Sequence, residues 1–489
     1  MGKSEIVGRK EEIRILEMAI SSKNAEFIAV YGRRRIGKTF LIKEFFNGLI
    51  CFELIGVHNA TLTQQLGNFA ASLGKAMGLG IQPQKPVSWQ DAFLQLENLL
   101  ESPAQKEKTG KKVIFMDELP WLNSVRSNFI QALEHFWNSY ASQRNDLILV
   151  VCGSAASWMI QNIVQSKGGL HNRLTRQIRL MPFSLEETER FLAQQGISLT
   201  RVQITELYMA MGGVPFYLMQ AEPGLSTSQI IDSVCFSAKG LLRTEFDKLF
   251  SSLFDESNRH RKIVETLAKK RTGITRNELL EITAIPSGGT ASLTIDELVE
   301  SGFIESGIPW GKNSNDLIFK LSDEYTLFYF TWLAELGKKD PGPGYWLSRQ
   351  NSPRRRSWSG FAFENICIKH VARLKAALGI AMVETTDGPW YYRPGKDSTV
   401  QGAQIDLLID RRDSTINICE MKYSEGPFTI DAKYAGELRN KINVFRSVTG
   451  TRKNLFLTMV TTYGLNENNY SRELATRSLT IDDLFQRIL

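Results

Sequence analysis

A glycine-rich segment combines two glycines, a lysine and a threonine at a spacing that suits phosphate binding. Gly32 and Gly37 let the backbone curl so that its amide N–H groups point at phosphate oxygens, and Lys38 reaches the outer phosphates. Thr39 supplies a hydroxyl for Mg²⁺, and the helix expected after the loop adds its positive N-terminal end. The loop follows the apolar run 26–31, as this kind of loop requires. The spacing therefore predicts a site for ATP with Mg²⁺.

An acidic pair follows a second apolar run, residues 112–116. Asp117 comes at the end of this predicted strand, where its carboxylate can hold Mg²⁺ through water, and Glu118 can polarise an attacking water. The alternative is a solvated acidic pair at a strand terminus, without chemistry. Beside the glycine-rich loop, the pair favours ATP hydrolysis over that alternative.

A second set of charged residues lies in residues 402–423, which predict two strands joined by a polar turn. The side-chain period of two places Glu420 and Lys422 on one face of the second strand, next to Asp406 from the first. Two carboxylates can hold a divalent metal and a lysine can position the attacking water, a combination suited to phosphodiester cleavage. Glu364, at the start of an upstream helix, is a further candidate ligand for the metal.

This second set also has an interpretation without chemistry. Glu420 and Lys422 would then form an exposed ion pair on an inactive fold. Downstream, a helical stretch carries Lys433, Arg439, Lys441 and Arg446. We predict that these residues either follow a phosphate backbone or form a solvated face.

The elements that must position these residues fall into several parts. Apolar runs at 26–31, 112–116 and 147–152, separated by helical patterns, predict a parallel sheet covered on both faces. Thr275 is the predicted N-cap of a helix in the middle of the chain. The expected parts of this multidomain α/β chain are an α/β domain with a helical lid at 1–245, a helical domain with a strand pair at 255–336, a linker at 337–357 and a second α/β domain at 358–489.

Length and composition set limits on these predictions. A chain of 489 residues exceeds what one hydrophobic core usually holds, so we expect two or more domains. The net charge of +7 fits a nucleic-acid partner, or a basic surface that serves solubility. Five scattered cysteines without CxxC spacing predict buried free thiols in a reducing compartment. With no apolar run of ~18 residues, we expect no membrane partner and a cytoplasmic location.

Several of these features resemble the AAA+ and STAND branches of P-loop ATPases, and most closely the archaeal-type ATPase family, over roughly the first half of the chain. The matching motifs are residues 6–9, 32–39, 117–118, 152–155 and 212–217. The resemblance implies that Gly8 and Arg9 lie near the adenine and that Ser154 senses the γ-phosphate. Pro215 would belong to a lid turn that reports the nucleotide state. Arg173 would stabilise transition-state charge, in its own chain or from a neighbour, unless it is only a surface arginine.

The C-terminal pattern resembles the PD-(D/E)XK nuclease superfamily. A helix with Glu364 precedes a strand with Asp406 and then Glu420-x-Lys422. The archaeal-type family often carries such a domain at its C-terminus, sometimes in degenerate form. The resemblance implies a site in which Glu364, Asp406 and Glu420 hold a metal and Lys422 assists cleavage of DNA.

Residues 255–336 resemble a winged helix, which places one helix in the DNA major groove and a wing against the backbone. The candidate DNA contacts are Thr290, Ser292 and Thr294 on the helix and Lys312 and Lys320 on the wing. The same helix carries three acidic residues, which suit DNA poorly, so a protein-binding or structural role stays open.

Together, these resemblances imply an ATPase that couples its nucleotide state to DNA binding and to Mg²⁺-dependent DNA cleavage. The main rival is a nucleotide-controlled switch that binds DNA or a protein partner and carries an inactive nuclease-like domain. A third hypothesis is an ATPase that forms a homo-oligomer on a trigger and then activates the nuclease.

Overall fold

The computed structural model describes residues 6–78, 83–107, 109–164, 172–254, 256–337, 339–395 and 401–487. The chain divides into two compact units. The first unit comprises Met1–Pro182, Ser252–Asp255 and Asp296–Gly302, and the second comprises Phe183–Ser251, Glu256–Ile295 and Phe303–Leu489.

The first unit is built on a five-stranded parallel sheet. Its strands are β1 Glu26–Tyr31, β2 Ile50–Ile55, β3 Lys112–Asp117, β4 Leu147–Gly153 and β5 Arg176–Arg179. They lie in the order β2-β3-β4-β1-β5, and every neighbouring pair is parallel. Strands β1, β3 and β4 confirm the three strands predicted from apolar runs, and all three are buried along their whole length. This burial explains why the runs are continuously apolar.

Helices cover both faces of this sheet. They are α1 Lys10–Ser21, α2 Lys38–Phe45, α3 Leu62–Met77, α4 Trp89–Leu100, α5 Pro103–Lys106, α6 Leu119–Leu122, α7 Phe129–Ser139 and α8 Ala156–Met159. Ile28 and Val30 belong to the apolar core shared with α1 and α2. Phe27 and Ala29 belong to the other core, shared with α3, α4 and α7. Alternate residues of β1 thus serve opposite faces.

The second unit begins with a group of helices. They are α9 Leu185–Gln194, α10 Arg201–Met211, α11 Pro215–Leu218, α12 Thr227–Ile231 and α13 Glu245–Leu253. Long-range contacts join this group to the C-terminal part of the chain. His370 Nε2 accepts from Leu185 N at 3.2 Å, and Arg201 Nη1 lies 3.0 Å from Asp482 Oδ1. The compact boundary after Pro182 therefore differs from the predicted domain 1–245.

The central part follows, and all of it except residues 296–302 belongs to the second unit. Its elements are α14 Ser257–Lys269, β6 Ile274–Thr275, α15 Arg276–Thr283, α16 Gly289–Glu300, β7 Ile304–Gly307, β8 Ile318–Leu321 and α17 Glu324–Phe328. The three strands form an antiparallel sheet in the order β6-β8-β7. The Thr275 side chain accepts from Glu278 N and caps α15, as predicted. Residues 304–321 are called the central hairpin below.

The predicted linker 337–357 is packed where the structure describes it. Trp346 is buried, with its ring 5.1 Å from that of Trp332 and 5.4 Å from that of Trp358. Arg355, from the basic run at 354–356, is also buried. The interpretation of 337–357 as a simple linker is therefore wrong, because apolar and charged groups here join the core.

The C-terminal part is a mixed five-stranded sheet flanked by helices. Its elements are α18 Pro353–Lys369, α19 Val371–Ala377, β9 Thr385–Tyr392, β10 Ala403–Arg411, β11 Thr415–Lys422, α20 Ala432–Thr449, β12 Asn454–Thr461, α21 Asn469–Leu474 and β13 Ala475–Leu479. The strand order is β13-β12-β11-β10-β9. The antiparallel β10–β11 pair, with Leu407 opposite Cys419, confirms the predicted hairpin. The register of β10 against β9 shifts between Ile405 and Leu408, the interval that contains Asp406.

All five cysteines are buried thiols outside any disulfide bond, as their spacing predicts. None of the described helices combines the length and the apolar character that a membrane crossing requires.

Candidate nucleotide site and C-terminal acidic site

The loop between β1 and α2 has the backbone conformation that its glycines predict. Gly32 (φ 142°) and Gly37 (φ 91°) both lie at positive φ, which other residues rarely adopt. A Cβ on Gly32 would stand 2.3 Å from the carbonyl oxygen of Leu180, so no larger residue fits there. Helix α2 begins directly after the loop, at Lys38, with its positive end beside the predicted phosphate position.

Lys38 is buried, with its ammonium turned into the loop. Its Nζ donates to the carbonyl oxygens of Gly32 (2.9 Å) and Arg33 (2.8 Å) and to Ser154 Oγ (3.0 Å). Burial lowers the pKa of Lys38, and two nearby carboxylates oppose this change. The ammonium is thus held by neutral oxygens, which a polyphosphate can replace with stronger, charge-assisted hydrogen bonds.

Thr39 and Asp117 form the pair predicted to hold Mg²⁺. Thr39 Oγ1 donates to Asp117 Oδ2 at 2.6 Å, and Asp117 Oδ1 accepts from Glu118 N at 2.9 Å. Burial raises the pKa of Asp117, while the hydrogen bond from Thr39 lowers it. A hydroxyl and a carboxylate side by side next to the phosphate loop are suited to Mg²⁺, so these residues fit the ion.

Ser154 joins the lysine of the loop to the predicted catalytic carboxylate. Its Oγ donates to Glu118 Oε1 at 2.8 Å and accepts from Lys38 Nζ. Glu118 has φ 48°, a left-handed conformation that non-glycine residues seldom adopt. Because β3 and β4 are parallel neighbours, Asp117, Glu118 and Ser154 emerge at the same edge of the sheet. The structure therefore brings together five of the predicted residues: Lys38, Thr39, Asp117, Glu118 and Ser154.

Gly8 and Arg9 lie directly before α1, both at positive φ (67° and 55°). The Arg9 side chain is 5% exposed. Its Nη1 donates to Met181 O at 2.7 Å and its Nη2 to Ile36 O at 3.2 Å. Arg9 therefore braces the phosphate loop through a backbone carbonyl, while a contact with adenine stays a prediction.

Arg173 lies at the wrong edge of the sheet for the role predicted in its own chain. Thr175 N donates to Phe27 O at 2.9 Å, so Arg173, which is exposed, lies beyond the beginning of β1. The phosphate loop follows the other end of β1, after Tyr31, and six residues of strand span roughly 16 Å or more. Arg173 therefore cannot reach a phosphate beside Lys38 of the same chain; a role from a neighbouring chain stays a prediction.

Pro215 is the first residue of α11, directly after a tight glycine turn in the second unit. Gly212 lies at φ 65°. Phe183 N donates to Gly213 O at 2.7 Å, and a Cβ on Gly213 would stand 1.9 Å from Phe183 O. The turn is thus a closely packed corner that requires glycine, and its response to nucleotide stays a prediction.

The C-terminal charged residues lie around the β10–β11 hairpin, but they do not pair as the sequence suggested. Asp406 Oδ2 accepts from Met421 N at 3.1 Å. Lys422 Nζ lies 5.1 Å from the centre of the Tyr434 ring. Glu420 is 0% exposed, so the alternative of an exposed Glu420–Lys422 ion pair is wrong.

A lysine of α20 binds the buried carboxylate of Glu420. Lys441 Nζ lies 2.8 Å from Oε1 and 2.6 Å from Oε2, and Tyr434 OH donates to Oε2 at 3.3 Å. Burial, followed by the charge of Asp406, raises the pKa of Glu420 to about 7, although Lys441 lowers it. Lys441 was a candidate phosphate contact; it is instead the counter-ion of Glu420. Spacing could not reveal this pair, which joins a strand to a helix.

Glu364 on α18 is also paired with a lysine. Lys320 of β8 donates from Nζ to Glu364 Oε1 at 2.8 Å, and the two side chains are only 15% and 16% exposed. Burial raises the pKa of Glu364, and Lys320 opposes that effect. The sequence predicted that Lys320 contacts DNA as part of the wing. In the structure, Lys320 instead binds Glu364 of the same chain.

The predicted metal ligands Glu364, Asp406 and Glu420 therefore do not form one ligand cluster. Across the described residues, no group of three His, Cys, Asp or Glu side chains is placed to hold a metal ion. Lysines hold two of the three acids and a backbone amide holds the third. In this arrangement the set does not fit a metal, whereas the Thr39–Asp117 pair does.

A family model and two proteins of Methanocaldococcus jannaschii match this chain. Residues 6–221 match a family described as an ATPase domain predominantly from Archaea. An uncharacterised protein of Methanocaldococcus jannaschii is 23% identical over 425 residues, which cover 86% of this chain and 88% of that protein. An uncharacterised ATP-binding protein of the same organism is 54% identical over 39 residues, 8% of this chain and 66% of that protein.

Two solved structures are also similar. A Walker-type ATPase of Pyrococcus abyssi gives a TM-score of 0.48 at 19% identity and covers 66% of this chain and 96% of its own. The ORC2 protein of Aeropyrum pernix, in ADPNP–ADP complexes, gives a TM-score of 0.42 at 16% identity, with coverages of 67% and 94%. Over residues 6–221, this chain is therefore similar to an ATPase domain found predominantly in Archaea.

Proposed function

We propose that the chain hydrolyses ATP at the site between β1, α2, β3 and β4. The observation that carries this proposal is the single hydrogen-bonded set of Lys38, Ser154 and Glu118, beside the bonded pair Thr39–Asp117. These groups supply a phosphate-binding ammonium, a candidate base and an ion-binding pair at one edge of the sheet.

Each side chain has a distinct task in this proposal. The loop amides and Lys38 bind the outer phosphates and hold them in line for attack. Thr39 and Asp117 hold Mg²⁺, which when bound neutralises phosphate charge. Glu118 orients and polarises the attacking water, and Ser154 positions the Glu118 carboxylate.

The test is Mg²⁺-dependent phosphate release by the full chain and by Lys38→Ala. We expect at least a ~100-fold loss, because the variant lacks the donor that stabilises charge on the transferred phosphoryl group. Lys43→Ala is the matched control on the same helix, since Lys43 forms a half-exposed pair with Glu53 at 2.5 Å. Hydrolysis that survives in Lys38→Ala at the control rate would refute the site.

We also propose that nucleotide state is coupled to DNA through the second unit, and that the C-terminal part is a PD-(D/E)XK-like domain. The order α18-α19-β9-β10-β11-α20-β12 supports this proposal, with Glu364 on α18 and Asp406, Glu420 and Lys422 on the hairpin. Cleavage of DNA with Mg²⁺ is the activity that this set of residues suggests. Because lysines bind Glu364 and Glu420, cleavage requires a rearrangement of these two pairs.

The rival candidate is a nucleotide-controlled switch with an inactive C-terminal domain. The observation that favours it is the bidentate pair between Lys441 and the fully buried Glu420. A carboxylate that is bound in this way serves the structure of the domain without needing a metal ion.

The two candidates differ in a direct assay. Plasmid and single-stranded DNA are incubated with the full chain and Mg²⁺ or Mn²⁺, with and without ATP, beside Lys422→Ala. Cleavage that is lost in the variant, while phosphate release from ATP persists, supports the nuclease. Equal cleavage by both proteins contradicts the role of Lys422, and DNA binding without cleavage under any condition supports the switch.

The central part is proposed to be a winged helix, with DNA or a protein as its partner. Of its candidate DNA contacts on α16, Thr290 is exposed, whereas Ser292 Oγ accepts from Arg276 Nη2 at 3.2 Å and Thr294 is buried. The helix therefore offers fewer groups to DNA than its sequence suggests. A homo-oligomer is a further proposal, which the molecular mass with and without ATP tests.

A further inference from the structure

The central hairpin is docked on the edge strand of the C-terminal sheet. Trp310 N donates to Pro389 O on β9 at 2.9 Å, and Trp310 Nε1 donates to Asp410 Oδ2 on β10 at 3.1 Å. A Cβ on Gly388 would stand 3.2 Å from Ile308 O, so the hairpin backbone lies directly against β9. A hairpin held in this way covers the edge of a sheet and is not free to touch a DNA backbone.

The hairpin and the C-terminal part enclose a cleft of about 220 Å³. Four carboxylate residues line it, namely Glu305, Glu364, Asp387 and Asp406, together with Lys320 from β8. Asp387 already forms an ion pair with Lys375 of α19. Lys320 of the central hairpin binds Glu364 across the cleft and lies opposite Glu305 in the β7–β8 pair.

Lys320 occupies this cleft as a cation would. Its ammonium lies 2.8 Å from Glu364 Oε1, within reach of a charge-assisted hydrogen bond. Both side chains are largely withdrawn from water, which strengthens their attraction and makes either charge costly to leave alone. The pair spans 44 residues and joins two separate parts of the second unit.

We propose that Lys320 is a tethered cation that blocks the Glu364–Asp406 cleft and keeps divalent cations out until the central hairpin leaves β9. The proposal rests on the C-terminal acids being the metal site of the proposed nuclease, and it explains why they do not form a ligand cluster here. Opening requires two linked changes: Trp310 must release Pro389 and Asp410, and Lys320 must release Glu364.

The test measures Mn²⁺ binding to the nucleotide-free full chain by electron paramagnetic resonance, in which bound Mn²⁺ removes the signal of the free ion. Lys320→Met keeps most of the side-chain bulk and removes the charge. We expect at least about tenfold tighter binding, because the ammonium that binds Glu364 is then absent and the acids of the cleft attract a cation more strongly. Lys312→Met, at an exposed lysine of the same hairpin, should bind Mn²⁺ as the wild type does.

Two further variants separate the blocking lysine from the metal site. Lys320→Met/Glu364→Gln should lose the added Mn²⁺ binding. Trp310→Ala, which changes no charge, should also tighten Mn²⁺ binding by loosening the hairpin.

Suppose that the wild type and Lys320→Met bind Mn²⁺ equally and that Glu364→Gln loses this binding. That result would overturn the blocking role of Lys320 and leave the metal site intact. No binding by any protein would overturn the blocking role together with the proposed metal site, while ATP hydrolysis in the first unit would be unaffected.

Discussion

The two charged sites of this chain are built from similar groups but balance their charges differently. In the nucleotide site, the ammonium of Lys38 is held by two carbonyls and a hydroxyl, and Asp117 is held by a hydroxyl and an amide. In the C-terminal site, Glu364 and Glu420 each have a lysine within 3 Å. The first site is stabilised by neutral partners that a charged ligand can replace. In the C-terminal site, lysines of the same chain neutralise the carboxylates, so a ligand there must compete with these ion pairs.

The largest effect that follows from this difference is on stability. At alkaline pH, where Glu420 stays ionised, Lys441→Met leaves a buried carboxylate without a counter-ion, which should cost about 3–5 kcal/mol in the free energy of unfolding. Lys433→Met, at an exposed lysine of the same helix, should cost less than about 0.5 kcal/mol. Urea unfolding of both variants measures the difference.

The double variant Lys441→Met/Glu420→Gln sharpens this result. Removal of both charges should recover a large part of the lost free energy of unfolding. The destabilisation arises from the unpaired carboxylate of Glu420 and not from the change in the hydrocarbon part of the Lys441 side chain. If Lys441→Met and Lys433→Met unfold at the same urea concentration, the C-terminal site is not neutralised in the way we describe.

A smaller effect is expected at the nucleotide site, where neutral hydrogen bonds position the reacting groups. Ser154→Ala removes the hydroxyl between Lys38 and Glu118 and should lower kcat by about ten- to a hundredfold, because a small displacement of the carboxylate slows attack. Nucleotide affinity should change much less, since Lys38 keeps two carbonyl partners. The measurement is phosphate release over a range of ATP concentrations.

Ser154→Thr is the conservative control, since it keeps a hydroxyl at the same position. It should recover more of the kcat than Ser154→Ala does. A loss of ATP affinity with kcat unchanged would show that Ser154 binds nucleotide and does not position Glu118.

The smallest effect is expected at Arg173. Because it lies at the sheet edge opposite the phosphate loop, Arg173→Ala should leave phosphate release within about twofold of the wild type for a chain acting alone. The rate is best measured over a range of protein concentrations. A large loss that grows with protein concentration would show that Arg173 acts on the site of a neighbouring chain.

The sequence predictions succeeded where the interacting residues lie close together along the chain, and they failed where the residues lie far apart. Gly32, Gly37, Lys38 and Thr39 lie within one strand–loop–helix junction, so their types and spacing were enough to predict the loop and its glycine conformations. The β10–β11 hairpin was predictable for the same reason, since its strands are adjacent in sequence. The sheet edge at which Arg173 lies was not predictable, because nothing in the local pattern indicates where β5 pairs along β1.

The sequence by itself determined the phosphate loop, the buried strands of the first unit and the C-terminal hairpin, because backbone conformation and apolar periodicity are local properties. Only the tertiary structure decided which charges meet. Ser154 reaches Lys38 across 116 residues, Lys320 reaches Glu364 across 44, and Lys441 reaches Glu420 across 21. Such pairs depend on how separate strands and helices pack, and any lysine in the chain carries the same charge until packing brings one of them to a particular carboxylate.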